Sequence, residues 1–339
     1  MPGLRCFIIR RDSETKMRRT ARTPGPPGNL SRRIIANSQA LGDPGVLAAF
    51  LLSAALVVAG CRGPEQRGAE AVELRVISLH DVTTELIVAL GGTSRLVGMA
   101  ELLDATNELR AATSAVPRVE QLETLLAVQP DLVLGLEIVK LKSPDLVASL
   151  ERNGKSVYLP ALTSVSDVKM LIREVARRLK KVSEGERLVA DLTAQVGTPV
   201  PLIDPRRVFV YDCCDPPYTA GKRTVIADLI NRVGGRNLFD DVDVAYTHVS
   251  WEEVLQRKPD LIVVHAYAEG GSADVSGKIA ALRGIEALRA LPVTVMPLRY
   301  SLGGLKTGEA ATLLRSALKG AASTGAGPDG KESREAGPT

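Results

Sequence analysis

The chain has 339 residues, 45% of them hydrophobic and 24% charged, a globular composition with length for two domains of ordinary size. Its net charge of +4 comes from the first 60 residues, which hold nine Lys/Arg against three Asp/Glu, whereas the other 279 hold 34 against 36. That near-neutral remainder removes the electrostatic basis for binding nucleic acid.

The basic start runs through Arg18-Arg19 and Arg32-Arg33 into "VLAAFLLSAALVVAG", Val46 to Gly60. These 15 residues are short for a membrane span and suit the apolar core of an export signal. The run ends in "VVAGC", which resembles the bacterial lipoprotein processing signal. On that resemblance residues 1–60 are a leader, Cys61 becomes the lipid-modified N-terminus, and 61–72 form a polar tether. An uncleaved membrane anchor is the alternative, and both readings place the folded part outside the cytoplasmic membrane. With Cys6 in the leader and Cys61 lipidated, only Cys213 and Cys214 remain. Neighbouring cysteines have difficulty meeting disulfide geometry, and there is no CxxC spacing for a redox motif or zinc knuckle.

Beyond the tether, "VELRVISL" predicts a strand and "TTELIVALGG" a helix closed by Gly91-Gly92. "RLVGMA" follows as a strand, "QLETLLAVQPDLVLG" as helix, turn and strand, "LKSPDLVASLERNG" as a helix and "SVYLP" as a strand. This alternation indicates an α/β lobe with a mostly parallel sheet over 73–165. From Ser166 to 198, "SDVKMLIREVARRLKKVSEGERLVADLTAQV" has helical spacing and no proline, with Ser166 or Asp167 as cap. A single rod of roughly 45 Å is expected, at the cost of about 1 kcal/mol for Gly185 in its interior. The α/β pattern returns over 199–320, and the Gly/Ser/Pro-rich composition of 321–339 predicts a disordered tail.

The two halves repeat each other. "LETLLAVQPDLVLG" parallels "WEEVLQRKPDLIVV", and "ELIVALGG" parallels "DLINRVGG". The expected fold is therefore α/β: two Rossmann-like lobes with mostly parallel sheets, joined by one long α-helix, with a ligand cleft between them. Ligands in such sheets lie beyond the C-terminal strand ends, here His80, Gly135, Pro160, Asp212-Cys213, His265 and Arg299-Tyr300.

These ends lack catalytic patterns: there is no G-x-S-x-G elbow, H-E-x-x-H or Walker A loop, and enzymatic function is not expected. Tyrosines are the richer signal. Tyr218, Tyr246, Tyr267 and Tyr300 fall at rim positions among only eleven Phe/Tyr/Trp residues, and tyrosine suits a cleft that grips a bulky amphipathic molecule. With Asp81 and Cys213 they outline a cleft to which His80, His248 and His265 also belong. The three histidines, with Cys213 or Cys214, either converge on a metal or act as polar wall residues. Glu123 and Glu252 open the two repeats; they are either helix-dipole partners or a two-point latch for arginines on another protein.

At these residues the chain resembles the single-helix-linked solute-binding proteins of ABC importers for iron-siderophores, haem and vitamin B12. "VISLHDVTTELIVALG", "LETLLAVQPDLVL" and "PPYTAGK…VGGRNLFDDV…VSWEEVLQRKPDLIVV" carry the likeness over about 73–318, nearest the vitamin B12-binding branch. The resemblance implies a rigid, monomeric, non-catalytic receptor with no cofactor of its own. It would pass a metal chelate (corrinoid, ferric siderophore or haem) to a permease and ATPase complex. Glu123 and Glu252 match the glutamates that dock on permease arginines, and Tyr218 and Tyr246 match cleft aromatics. Departures at His80-Asp81, "DCCD" and His248 favour a metal-containing ligand, with a deazaflavin-type precursor also open. "DCCD" itself reads as pocket rim.

Overall fold

The computed structural model describes residues 73–324, except 120 and 268–270. The leader, Cys61, the tether and residues 325–339 lie outside the described residues. Among the described residues no helix is long and apolar enough to cross a membrane.

The first lobe runs β1 (Val76–Ser78), α1 (Asp81–Ala89), β2 (Leu96–Met99), α2 (Asn107–Ala112), α3 (Leu122–Ala127), β3 (Leu132–Leu134), α4 (Glu137–Lys142), α5 (Pro144–Arg152) and β4 (Ser156–Tyr158). Its sheet has the order β2-β1-β3-β4, parallel throughout. Two helices follow, α6 (Val165–Arg178) and α7 (Val182–Val196). The second lobe runs β5 (Arg206–Tyr211), β6 (Tyr218–Ala220), α8 (Val225–Arg232), β7 (Gly235–Asn237), β8 (Tyr246–His248), α9 (Trp251–Arg257), β9 (Leu261–Ala266), α10 (Gly271–Gly284), β10 (Val293–Pro297), α11 (Leu298–Ser301) and α12 (Thr307–Thr324). Its main sheet, β10-β9-β5-β7, is again parallel, while β6 and β8 pair antiparallel as a separate ribbon. Central strands such as "LIVV" in β9 read as unbroken apolar runs because both faces of a parallel sheet are covered. The two-lobed α/β expectation holds, and the first residues assigned to the tail are helical in α12.

The single linking rod does not. The segment folds into two helices of 14 and 15 residues packed side by side. Lys180 between them takes a left-handed φ of 54°, and Arg95 Nη1 donates to the carbonyl of Leu179 at 2.5 Å, closing the end of α6. Gly185 makes the crossing possible: a Cβ there would collide with Ala176 Cβ on the facing helix. The cap is also two residues earlier than Ser166, the first of the expected caps. Ser164 Oγ accepts the Asp167 N–H at 3.2 Å, while the Asp167 carboxylate accepts from Thr163.

Each linking helix spans the lobes. Val165 N–H at the start of α6 donates to Asp228 of α8 at 2.8 Å, and the far end of α6 meets Arg95 in the first lobe. One apolar cluster runs through both lobes and the linker, including Val76, Leu86, Leu171, Val189, Leu229 and Ala310. Smaller clusters underlie the outer faces, with Phe209, Phe239 and Ile262 in the second lobe and Ile77, Leu125 and Val133 in the first.

Candidate functional site

The first lobe brings a polar group to its strand ends. His80 leaves β1 and caps α1, with Nδ1 accepting the Val82 N–H at 3.2 Å. Burial, reinforced by Lys142, lowers its pKa to about 4, so the ring is neutral near pH 7. Asp81 Oδ2 accepts the Asp104 N–H at 2.8 Å, and burial chiefly raises the Asp81 pKa. Asp104 in turn reaches the second lobe: its Oδ2 accepts the Arg299 N–H at 2.7 Å and its Oδ1 lies 3.4 Å from Arg299 Nη1. Asp104 is 4% exposed, so this bridge between lobes is shielded from solvent on the carboxylate side. Beside it, burial also raises the pKa of Glu85, which faces Lys306, Glu309 and Arg299.

The second lobe contributes an aromatic row. In the β6–β8 ribbon Tyr218 pairs with His248 and Ala220 with Tyr246, and side chains two residues apart share a face. Tyr218 and Tyr246 stack with centroids 5.6 Å apart, and Tyr218 lies 4.8 Å from the His248 ring. Burial, followed by the charge of Asp212, raises the pKa of both tyrosines and keeps their hydroxyls protonated.

Behind the row is a buried relay. Asp212 Oδ1 lies 2.6 Å from His265 Nδ1, and its Oδ2 accepts the Tyr267 hydroxyl at 2.7 Å. His265 Nε2 lies 2.7 Å from Ser301 Oγ, and Lys278 Nζ donates to the His265 carbonyl at 2.7 Å while covering the Tyr267 ring at 4.5 Å. Burial alone would raise the Asp212 pKa, but the bonds from His265 and Tyr267 and the charge of Lys278 hold it below the usual carboxylate value. The order Ser301, His265, Asp212 is that of an acid–base triad, yet Ser301 is 3% and His265 0% exposed, so no substrate reaches the serine.

His265 is therefore a core histidine with both ring nitrogens engaged, not a rim residue. Of the two readings of His80, His248, His265, Cys213 and Cys214, as metal ligands or as polar wall residues, the first finds no ready-made cluster: among the described residues no group of three or more His, Cys, Asp or Glu is placed to hold a metal. Tyr300 also leaves the row. It lines a cavity of about 690 Å³ with Gln195, Thr294, Glu309, Thr312 and Leu313, and packs under the Arg299 guanidinium.

Cys213 and Cys214 overturn a further expectation, since they are joined in a vicinal disulfide. The loop holding them is anchored on three sides. Tyr211 Oη donates to the Cys214 carbonyl at 3.0 Å, Trp251 Nε1 to Asp215 Oδ1 at 3.1 Å, and His248 Nδ1 lies 3.0 Å from the Pro216 carbonyl. Backbone bonds tie Tyr218 N to Cys213 O and Asp212 N to Tyr218 O, so the loop sets the position of the aromatic row.

Glu123 and Glu252 are exposed in the first turns of α3 and α9, the helices that precede the equivalent strands β3 and β9. Its own N–H and Ser250 lower the Glu252 pKa. Sequence reasoning missed Asp104 and Arg299 as a bridge between lobes. The signal was available, because Asp104 follows β2 as His80 follows β1.

Two α/β lobes with parallel sheets, joined by two helices and bridged by Asp104 and Arg299, define a bilobed α/β protein. The chain belongs to the periplasmic binding protein family, whose pattern matches residues 76–295 and so spans both sheets. A vitamin B12-binding protein of Pectobacterium atrosepticum is 28% identical over 215 residues, covering 61% of this chain and 75% of its own. The apo periplasmic heme-binding protein of Roseiflexus sp. RS-1 superposes with a TM-score of 0.60 at 25% identity, covering 74% of this chain and 99% of its own. A periplasmic binding protein from Veillonella parvula shares the fold with a TM-score of 0.65 at 20% identity, covering 74% of this chain and 93% of its own. The protein is a solute-binding component of the ABC-importer type.

Proposed function

We propose that the protein is an exported, lipid-anchored receptor that captures a metal chelate and delivers it to an ABC permease and ATPase. In this reading Cys61 carries the lipid, and the protein works as a monomer with no cofactor of its own. The ligand is a corrinoid, haem or ferric siderophore. The observation that carries the reading is the Tyr246, Tyr218 and His248 row on one face of the β6–β8 ribbon. Stacked tyrosines with protonated hydroxyls offer a large apolar surface and polar tips, which suits a bulky amphipathic chelate better than a bare ion. His80 and Asp81 supply polar contacts from the opposite lobe. Relatives that bind vitamin B12 and heme support the same ligand class. A receptor for free transition metal is disfavoured, because the described residues hold no cluster of ligating side chains.

Calorimetry of the purified protein with cyanocobalamin, ferric protoporphyrin and a ferric hydroxamate tests the reading. Trp251 is the chain's single tryptophan and bonds to Asp215 of the disulfide loop, so its fluorescence reports occupancy of the row. Saturable one-to-one binding of one chelate is expected, and silence across the panel refutes the ligand class. Glu123 and Glu252 are assigned to permease docking. Replacing both by glutamine should abolish uptake and leave chelate binding intact; lost binding would refute that assignment.

A further inference from the structure

A disulfide stabilises a fold chiefly by closing a long loop of the unfolded chain, and the gain shrinks as the loop shortens. Cys213 and Cys214 are adjacent, so their bond joins no distant elements and encloses a single peptide unit. Its effect is local. Cys214 has a φ of 76°, a left-handed backbone that a residue with a side chain rarely adopts unless its surroundings impose it. The ring closed by the two sulfurs holds that conformation, and the segment it aims carries three contacts. The Cys214 carbonyl accepts from Tyr211 Oη, Asp215 Oδ1 accepts from Trp251 Nε1, and the Pro216 carbonyl meets His248 Nδ1. Tyr218, at the end of the segment, donates its N–H to the Cys213 carbonyl at 2.8 Å. Both cysteines are half-buried and Asp215 and Pro216 are exposed, so the bond lies at the edge of the fold where a thiolate can approach.

We propose that Cys213–Cys214 is a thiol–disulfide exchange site for an extracytoplasmic dithiol, and that its reduction releases the loop and weakens ligand binding at the Tyr218 and Tyr246 face. A thiolate of the donor attacks one Sγ, the S–S bond breaks, and the other Sγ leaves as a thiolate and takes a proton. The donor's second thiol then attacks the mixed disulfide, so the donor departs as a disulfide and the protein keeps two thiols. Two electrons and two protons have passed from donor to protein. Cys214 then returns to a negative φ, which turns its carbonyl, the Asp215 carboxylate and the Pro216 carbonyl away from Tyr211, Trp251 and His248. The aromatic row loses the support behind it, and so does Trp251 at the start of α9. The ligand half of the proposal rests on the receptor reading, whereas the exchange chemistry and the release of the loop do not.

The test compares the purified protein before and after dithiothreitol, removed by gel filtration under argon, with alkylation and mass spectrometry to confirm thiols at Cys213 and Cys214. Amide hydrogen exchange should quicken by at least about tenfold at Asp212 and Tyr218, whose N–H groups close the loop, and stay unchanged in β9. Titration with ferric protoporphyrin IX and with cyanocobalamin should show about tenfold weaker binding of whichever binds, as when a tenth of the molecules hold the competent loop. Reoxidation should restore both readings. Cys213→Ser with Cys214→Ser should match the reduced state and ignore the reductant. Cys213→Ser with Cys214→Gly should recover part of the affinity, because glycine takes a φ of 76° without a Cβ clash. Full reduction with unchanged exchange at Asp212 and Tyr218 overturns the proposal, as does a bond that dithiothreitol leaves closed in the folded protein. Lost protection of β9 on reduction would make the bond a staple of the fold and also overturns it. Unchanged affinity for a chelate that binds overturns the ligand half. Binding of neither chelate in either state removes the receptor reading, and the exchange result alone then decides the switch.

Discussion

The two lobes have the same skeleton and different chemistry. Written from the equivalent edge, their sheets run β2-β1-β3-β4 and β7-β5-β9-β10, the same order with the same parallel sense. After β1 the chain enters α1 almost at once, with His80 as cap; after β5 it first builds the disulfide loop and β6, and β8 is inserted again before α9. The first lobe has one aromatic residue among its described positions, Tyr158, whereas the second carries Phe209, Tyr211, Tyr218, Phe239, Tyr246, Trp251, Tyr267 and Tyr300. The repeated part is scaffold, and the inserted ribbon carries the aromatic row on which the proposed ligand face rests. Polar closure comes from the other side, through Asp81 and Asp104.

The largest effect should come from the charged bond between the lobes, Asp104 to Arg299. Asp104→Ala removes the acceptor of both the Arg299 N–H and its guanidinium, leaving a half-exposed arginine with its Nε already buried and unpartnered among the described residues. A loss of about 3 kcal/mol in urea unfolding is expected, from hydrogen bonds to a charged group and an uncompensated cation. A change below about 0.5 kcal/mol, the ordinary range for surface substitutions, would mean that the lobes do not depend on this bridge. Tyr218→Ala sharpens the division of labour. It should weaken chelate binding by about 2 kcal/mol, roughly thirtyfold, as for an interface anchor, with little effect on stability. His80→Ala should cost binding less, and the reverse ranking would move the ligand to the first lobe.

The repeat was legible because P-D-L after an apolar helix marks the same turn twice, and buried parallel strands announce themselves as runs such as "DLIVV". The ribbon was not. β6 and β8 are three residues each and pair across the whole α8–β7 unit, so no local turn signal joins them. Loop position alone could not show that His265 would be buried inside β9 while His248 stayed exposed. The linker failed for a readable reason. The apolar stripe Val168, Leu171, Ile172, Val175 and Leu179 should continue at 182–187, where Ser183, Glu186 and Arg187 interrupt it. The disulfide ran against a general geometric expectation that longer separations obey more readily than adjacent residues.

The helix caps at equivalent positions offer a comparison by pH. His80 caps α1 and Thr224 caps α8, but only the first can titrate. An unfolded histidine takes its proton near pH 6.5, whereas folded His80 resists until about pH 4. Between those values the unfolded state binds more protons, so stability present above pH 6.5 is lost as pH falls through the window. The expected loss is on the order of 2 kcal/mol for this half-buried ring. His80→Ser keeps a capping oxygen and should flatten that part of the profile. An equal fall in the variant would place the pH sensitivity elsewhere.

The smallest effect tests what holds the two unlike lobes in register. Helix propensity alone predicts that Gly185→Ala stabilises α7 by about 1 kcal/mol. The crossing predicts the opposite, because the new methyl would collide with Ala176 Cβ, which is fixed on the facing helix and cannot swing aside. Overpacking of this kind costs about 1–3 kcal/mol, so a net destabilisation of about 1 kcal/mol is expected. Ala176→Gly in the same chain removes the obstacle and should recover most of the packing loss, with its own propensity cost on α6. A higher melting temperature for Gly185→Ala alone would mean that α6 and α7 do not approach this closely. The linker would then be nearer the extended rod that its sequence first suggests, and the lobes would be held chiefly by Asp104 and Arg299.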